Sequence, residues 1–319
     1  MFYGNHMIAL DFGTKCIKII YGKKAGRGAT IFEYGIYDVP EVLSCNKGIM
    51  EEDYISEILT DFLSMRKIKS KNISIGIKGH DIITRHLEMP IMNDKQLKQA
   101  VKYELQQYLT MDLSDYSVGS KKLSEAIYNG KRTMDVLLVA APMKKINDYL
   151  NLAAKAGLRV KLIDIFANSI TAFFKSNEKV IENSLALLDI GFSSSSVILI
   201  EDSKLFFQKE INIGTKHILE SCDDKFSLCR EAVLNTLAEE ILKILDFYTS
   251  RHPSKDINCL YLYGGGSNIH NIVDTIKNLI NIETKLFDES LLENINNIDS
   301  GLKRNIHLYL NCISLLLRN

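Results

Sequence analysis

The sequence has no excess of charge of either sign. Lysine plus arginine and aspartate plus glutamate both number 39 among its 319 residues. A protein that binds nucleic acid or an anionic membrane surface by general electrostatic attraction usually carries a net positive charge. We therefore expect no nucleic-acid partner and no direct insertion into a membrane.

Long apolar segments are also missing from the sequence. It contains no run of about 18 apolar residues, the length that a helix needs to cross a bilayer. The first residues, Met1 to Met7, include Asn5 and His6 and do not resemble a secretory signal. The expected location is cytoplasmic, and any recruitment to the cytoplasmic membrane would depend on a partner.

The cysteines lack the spacing of a metal site. There are six of them, and no two form a Cys-x-x-Cys pair. This dispersion disfavours a zinc site, and several of the thiols lie in apolar runs where they pack as small hydrophobic groups. Reduced cysteines are the expected state, as in cytoplasmic proteins.

One motif, by contrast, occurs twice. Each copy is an apolar run, an Asp-x-Gly turn with hydroxyl residues, and a second apolar run, which is typical of a β-hairpin. The turn residues are Asp11, Gly13, Thr14 and Lys15 in the first copy, and Asp189, Gly191, Ser193 and Ser194 in the second. Such turns can aim N–H groups and hydroxyls at a phosphate, while the aspartate holds a hydrated cation. Alternatively, each aspartate only closes its own turn.

A third motif follows the apolar run 259–263 and consists of Gly264, Gly265, Gly266 and Ser267. By itself it could be a plain glycine-rich turn. Together, however, the three motifs resemble those of the actin-like ATPase superfamily. That resemblance implies an α/β fold of two ribonuclease H-like lobes with a nucleotide between them.

The resemblance also implies roles for the motif residues. ATP or ADP would bind with Mg²⁺, which Asp11 and Asp189 would hold through water. The other hairpin residues would donate to the phosphates, with Lys15 or Lys18 neutralising their charge. Strand alternation alone does not decide whether the Lys18 side chain points towards the phosphates or lies on a solvated face of the hairpin. The glycine triplet would lie against the adenosine side of the nucleotide, with the following helix near phosphate.

The pattern of predicted elements changes between residues 90 and 159. Residues 94–109 are predicted to form an amphipathic helix with Asn93 as its N-cap. Together with strands 116–123 and 133–140, helix 145–156 and strand 158–164, this helix is expected to form a compact α+β subdomain inserted in the first lobe. The expected division is therefore a first lobe at 1–89, the insert at 90–159, a return with the crossing helix at 160–183 and a second lobe at 184–319. Within the second lobe, 212–257 is expected to hold a reduced nucleotide-flanking subdomain.

The insert narrows the resemblance. The segments 137–142, 156–158 and 163–164, the pair Tyr103-Glu104 and the acidic-aromatic segment 112–116 are similar to the PilM family of type IV pilus assembly proteins. Thr110-Met111 stands where that family commonly has a proline. The nearest alternative is the filament-forming cell-division protein FtsA. A small-molecule kinase is a third class, for which no catalytic carboxylate facing a substrate can be nominated.

Further expectations follow from the PilM resemblance. The insert would bind the N-terminal peptide of a PilN-like bitopic membrane protein, with helix 94–109 and strand 82–89 as candidate lining, and other pilus assembly components could also bind. Alternatively, the insert only stabilises the lobe or mediates self-association. Glu240 and Lys243, on helix 231–248, would border the base and sugar.

Hydrolysis is expected to be slow at most. A catalyst needs a group that orients water towards the γ-phosphate, and by resemblance this group lies at the start of the crossing helix. Only Asp164 and Asn168 are polar there, which makes Asp164 the candidate catalytic residue of a slow Mg²⁺-dependent ATPase.

The apolar segment 306–317 allows two interpretations. It could bind a membrane as the last helix of FtsA does, or it could pack in the core as in PilM. Because it lacks a basic face, we expect it to pack, against the sheet of the second lobe.

Overall fold

The computed structural model describes residues 6–40, 52–108, 112–128, 131–176, 184–220, 227–251, 255 and 257–318. The chain divides into two compact units, one of Met1–Ile77 with Lys155–Asn319 and the other of Lys78–Ala154. Its helices are α1 (Glu52–Met65), α2 (Asp94–Tyr108), α3 (Met143–Lys155), α4 (Phe166–Ser176), α5 (Thr215–Glu220), α6 (Ser227–Arg251), α7 (Ile272–Ile280), α8 (Ser300–Arg304) and α9 (Ile306–Arg318).

The first sheet of the larger unit has the strand order β14-β3-β2-β1-β4-β8. Its strands are β1 (His6–Phe12), β2 (Cys16–Ala25), β3 (Gly28–Asp38), β4 (Asn72–Ile77), β8 (Arg159–Ile165) and β14 (Ile295–Asn296). The first three strands form an antiparallel meander, whereas β4 runs parallel to β1 and β8 parallel to β4. Consecutive residues of β1, from Ile8 to Leu10, are fully buried, because both faces of this sheet are covered.

The second sheet repeats this plan in the order β11-β10-β9-β12-β13. Its strands are β9 (Ser184–Ile190), β10 (Ser195–Glu201), β11 (Lys204–Ile211), β12 (Cys259–Tyr263) and β13 (Glu283–Leu286). β9 pairs antiparallel with β10 and parallel with β12, just as β1 pairs with β2 and β4. Each sheet thus begins with one of the two predicted hairpins.

The smaller unit is a three-stranded antiparallel sheet in the order β5-β7-β6, made of β5 (Ile83–Pro90), β6 (Tyr116–Tyr128) and β7 (Lys131–Pro142). Helix α2 packs on it through Leu97, Val101 and Leu105. The side chains of Asn93 and Gln96 each accept a hydrogen bond from the other's backbone N–H, at 3.0 and 3.1 Å. This reciprocal capping box confirms the predicted N-cap at Asn93.

The smaller unit does not coincide with the expected insert at 90–159. It begins at Lys78, because β5 pairs along its whole length with β7 rather than with the first sheet. At the other end, β8 pairs with β4 and belongs to the first sheet. Thr110-Met111, as well as residues 221–226 of the expected flanking subdomain, lie outside the described residues.

Helix α9 packs in the core, as expected, but on the first sheet rather than the second. Its neighbours are mainly α4, β2 and β1, and almost all of its side chains are buried. Strand β14 likewise pairs with β3, so the end of the chain returns to the first lobe instead of completing the second. Among the described residues, none of the helices combines the length and apolar character needed to cross a membrane.

Candidate functional site

Each of the two hairpin turns contains the same type of backbone hydrogen bond. Gly13 N–H donates to the carbonyl of Cys16 at 3.1 Å, and Gly191 N–H donates to the carbonyl of Ser194 at 3.0 Å. A Cβ at Gly13 would lie 2.7 Å from the Cys16 oxygen, so the first turn has no room for a side chain there. The repeated sequence therefore folds into a repeated turn.

The two turns meet within the larger unit. The hydroxyl oxygens of Thr14 and Ser193 are 3.1 Å apart, within hydrogen-bond distance. The ammonium of Lys15, an exposed residue, lies 5.3 Å from the centroid of the Phe192 ring. Two hydroxyls and one cation, from hairpins almost 180 residues apart in sequence, thus converge on one place.

Asp11 is fully buried and has two donors on one oxygen. Its Oδ2 accepts from the Lys18 ammonium at 3.4 Å and from the Asn311 side-chain amide at 3.0 Å. Asp11 and Lys18 are directly paired across β1 and β2, so their side chains share a face of the sheet. Lys18 is itself buried, which excludes the alternative that it lies on a solvated face. A buried carboxylate needs such a partner, because an isolated buried charge is very costly.

The glycine triplet packs against the second hairpin. Gly264 follows β12 with φ 84° and ψ 178°, and a Cβ there would lie 2.0 Å from Oδ1 of Asp189. A Cβ at Gly266 would lie 2.2 Å from the Ile190 side chain, whereas one at Gly265 would meet nothing within 4 Å. The buried Ser267 hydroxyl donates to the Gly264 carbonyl at 2.6 Å. The glycines therefore allow the third motif to approach the second closely.

The pKa of the Tyr263 hydroxyl is influenced by both aspartates. Burial raises the pKa of its hydroxyl well above the usual range, and the carboxylates of Asp189, Asp11 and Glu210 raise it further. Tyr263 pairs with Asp189 across β12 and β9. One phenol thus experiences the negative charge of both motifs.

Glu210, on β11, is a site residue that the sequence patterns did not indicate. Its Oε2 accepts a hydrogen bond from the Ser194 hydroxyl at 3.1 Å. It reaches the second hairpin because β11 pairs with β10, opposite Ser196. Only this pairing register connects Glu210 to the motif, so no local signal could have identified it.

The donor set fits a hydrated Mg²⁺ rather than an ion enclosed by protein. Among the described residues, no three histidine, cysteine, aspartate or glutamate side chains lie close enough together to hold a metal. Magnesium usually keeps several waters and takes one or two carboxylates, with phosphate oxygens supplying other ligands. Asp11 and Asp189 match that arrangement in number and in charge.

Asp164, the candidate catalytic residue, is held by several donors. It accepts hydrogen bonds from the Ile165 N–H at 3.0 Å, from the Asn168 amide at 2.9 and 3.0 Å and from the Ser169 hydroxyl at 3.0 Å. The Arg318 guanidinium adds an ion pair at 2.7 Å. Because a carboxylate offers about four acceptor positions, these bonds suit Asp164 to anchoring α4 and α9 rather than to orienting water.

Glu240 and Lys243 form an ion-pair group with Lys209. Glu240 accepts from Lys209 on β11 at 2.8 Å and from Lys243 at 2.7 Å. These hydrogen bonds, that from Lys209 first, lower the pKa of Glu240 to about 2. Within the part of the chain that the structure describes, their charged groups meet one another rather than either hairpin turn.

Helix α9 also reaches the site, which the sequence patterns did not indicate. Besides the Asn311 bond to Asp11, the His307 carbonyl accepts from the Gly264 N–H at 3.0 Å, and its ring Nε2 lies 2.8 Å from Oδ1 of Asn268. The available signal was the regular spacing of polar residues in an otherwise apolar segment. Criteria for core packing and for membrane binding consider the apolar residues of the segment, and they therefore do not detect this spacing.

Comparison with solved structures identifies the fold. A PilM–PilN type IV pilus biogenesis complex matches with a TM-score of 0.82 at 17% identity, over 98% of each chain. The ethanolamine utilization protein EutJ from Carboxydothermus hydrogenoformans matches with a TM-score of 0.55 at 11% identity, over 100% of this chain and 91% of that one. A Bacteroides thetaiotaomicron protein with an actin-like ATPase fold matches with a TM-score of 0.50 at 12% identity, over 97% and 96% of the two chains. The predicted two-lobed actin-like fold is confirmed.

The family model of the type IV pilus assembly protein PilM matches residues 9–233. This match covers well over half of the 319 residues. It includes both Asp-x-Gly hairpins and the whole smaller unit. The PilM resemblance inferred from the hairpins and the insert is therefore confirmed, in preference to the FtsA and kinase alternatives. The chain belongs to the PilM family of type IV pilus assembly proteins.

Proposed function

We propose that the chain is a nucleotide-binding scaffold of the type IV pilus assembly machinery that binds the cytoplasmic N-terminal peptide of a PilN-like membrane protein. Membership of the PilM family supports a role in pilus assembly. The observation that supports nucleotide binding is the contact between the two hairpin turns, where Thr14 and Ser193 meet at 3.1 Å. Recruitment of the chain from the cytoplasm to the membrane would then depend on the peptide.

The nucleotide proposed for this site is ATP or ADP. The hydroxyls of Thr14 and Ser193 would exchange their mutual hydrogen bond for bonds to a phosphate, and the backbone N–H groups of both turns would add donors. Lys15, exposed at the same place, would neutralise phosphate charge, because Lys18 is already paired with Asp11. Mg²⁺, held through water by Asp11 and Asp189, would offset the remaining negative charge on the phosphates.

Two further groups of residues are proposed to contact the nucleotide. The glycine triplet lies beside Asp189 and would border the adenosine. Glu240 and Lys243 stay candidates for the base and sugar by family resemblance, and they would have to exchange their present ion pairs for those contacts.

ATP turnover by the purified chain is expected to be slower than about 1 per second, the lower end of the usual enzyme range. The reason is that Asp164, the polar candidate for orienting water, is held by Asn168, Ser169 and Arg318. Phosphate release at saturating Mg²⁺-ATP measures the rate. Asp164→Asn serves as the comparison, since an anchoring residue should alter stability more than turnover. A rate well above 1 per second that Asp164→Asn abolishes would contradict this assignment.

Peptide binding is expected to involve the outer side of α2. Leu97, Val101 and Leu105 face the sheet, whereas the Tyr103 side chain is 65% exposed, which makes it an available aromatic anchor. Tyr103→Ala should weaken binding of a labelled N-terminal peptide from a PilN-like protein by about 10-fold or more, the effect typical of an aromatic hot spot. Fluorescence titration measures this affinity.

The matched control for Tyr103→Ala is Met65→Ala. Met65 is also a large exposed apolar residue, 72% exposed, but it lies on α1 of the larger unit. Its substitution should leave the peptide affinity unchanged. If the two variants lose affinity equally, or if Tyr103→Ala loses none, the peptide does not bind through this face of α2.

A further inference from the structure

Helix α9 carries a single line of polar side chains through the core. His307, Asn311, Ser314 and Arg318 are separated by four, three and four residues, a spacing that places them on one face of a helix. The first three of these side chains are buried. Buried polar groups are retained only where they have partners or a function, because desolvation is costly. The line therefore calls for a physical explanation.

The contacts of this line connect three parts of the larger unit. His307 meets Gly264 through its backbone carbonyl and Asn268 through its ring, Asn311 meets Asp11, and Arg318 meets Asp164. Ser314 differs from them, because its hydroxyl donates to the Asn311 carbonyl within the helix at 2.8 Å. Three of the four residues thus make tertiary contacts, and the fourth makes a local bond.

The geometry of the first sheet explains why one helix can make both aspartate contacts. Asp11 is opposite Gly76 on β4, and Gly76 is opposite Asp164 on β8, so the two aspartates are separated by two strand spacings, about 9.6 Å. From Asn311 to Arg318 the helix advances seven residues, or about 10.5 Å. Helix α9 therefore runs along this row, and Asn311 is held over Asp11.

Asn311 holds the carboxylate of Asp11 in one orientation. Its amide donates to Oδ2 at 3.0 Å, a normal hydrogen-bond length, whereas the Lys18 ammonium is at 3.4 Å from the same oxygen. Lys18 neutralises the charge of the Asp11 carboxylate, and the hydrogen bond from Asn311 orients it. The next residue, Cys312, also donates its thiol to the Lys18 carbonyl at 3.3 Å, which fixes β2 beside them.

Burial of the Asn311 amide destabilises the folded state. Its Oδ1 is buried, and no hydrogen-bond partner for it occurs among the described residues. Leaving a buried polar atom in this state costs about 1–3 kcal/mol. An apolar residue of similar size would avoid that cost and would pack with the rest of α9. The hydrogen bond from Asn311 to Asp11 is the interaction that offsets this free-energy cost.

We propose that Asn311 is a positioning residue for magnesium. By holding Oδ2 of Asp11, it keeps the carboxylate turned so that the hydrated cation of a bound nucleotide is supported. Groups that orient metal-supporting side chains in this way typically change metal affinity by about 10–100-fold when they are removed. This role rests on the proposed nucleotide function, and it adds the C-terminal helix to the machinery of the site.

The test compares ATP affinity with Mg²⁺ and in excess EDTA by calorimetry, on the full chain. For wild type, the ratio of the two affinities gives the magnesium-dependent gain. Asn311→Leu, which has similar volume and no donor, should reduce that gain about 10-fold and leave the affinity in EDTA unchanged. The matched control, Ser314→Ala, removes the local bond one turn away and should keep the wild-type gain. Asn311→Gln, which retains the amide, should restore part of it.

Each outcome has a distinct meaning. If wild type does not bind ATP, the proposed function fails. If wild type binds and Asn311→Leu keeps the full magnesium-dependent gain, only the positioning role is overturned. Asn311→Ser, whose shorter side chain cannot reach Asp11 in the same way, replaces Asn311→Leu if that variant does not fold. If both variants fail to fold, the amide serves the fold rather than the cation, and the proposal is also overturned.

Discussion

Asp189→Asn is expected to weaken the binding of Mg²⁺-ATP by about 100-fold, the upper end of the range for losing a group that supports a metal. Asp189 is buried, lies against Gly264 and shares the neighbourhood of Tyr263 with Asp11. Asparagine keeps the size of the side chain and removes its charge. Calorimetric titration with ATP at fixed Mg²⁺ measures the loss, and circular dichroism verifies the fold.

Asp11→Asn should show the same loss of affinity together with a loss of stability. The reason is that Lys18 would remain buried beside a neutral amide, and breaking a buried ion pair by removing one partner costs about 3–5 kcal/mol. Asp189→Asn is therefore the cleaner of the two variants. As a control, Asp202→Asn changes an exposed carboxylate between β10 and β11. Unchanged ATP affinity in both site variants would show that the hairpins do not bind nucleotide.

Gly264→Ala is expected to lower the free energy of unfolding by about 3 kcal/mol or more and to abolish ATP binding. Gly264 has φ 84° and ψ 178°, a region that is essentially restricted to glycine and costs other residues about 1–3 kcal/mol. Its new Cβ would lie 2.0 Å from Oδ1 of Asp189 and 3.2 Å from the Ile190 carbonyl. Overpacking of this kind adds about 1–3 kcal/mol. Urea denaturation at neutral pH measures the change.

The control is the next residue, Gly265. A Cβ there would meet no atom within 4 Å, so Gly265→Ala should change the stability by less than about 0.5 kcal/mol. The two substitutions are chemically identical and adjacent in sequence, and only their surroundings differ. Equal effects would mean that the close approach of Gly264 to Asp189 does not exist in solution.

Local patterns were sufficient wherever a structure depends on nearby residues. The Asp-x-Gly turns, the N-cap at Asn93 and the apolar stripe of α2 all formed as predicted. These features follow from short-range hydrogen bonding and from the helical period. Because the two hairpins repeat the same local chemistry, the repeat itself indicated two related lobes.

Features that depend on pairing between distant segments could not be predicted from local sequence patterns. The assignment of β5 to the smaller unit and of β14 and α9 to the first sheet follows from their partners, which are β7, β3 and β2, respectively. An apolar strand or helix shows that it will be buried, but its pattern does not specify against which sheet.

The sequence by itself determined the actin-like class and the PilM-family resemblance and indicated the two aspartates as candidate site residues, because each of these depends on contiguous motifs. Only the tertiary structure decided the state of the side chains around them. It paired Lys18 with Asp11, surrounded Asp164 with donors, brought Glu210 to Ser194 and laid Asn311 over Asp11. These contacts join residues up to 300 positions apart, and their distances are set by strand register and helix rise, which no local pattern contains.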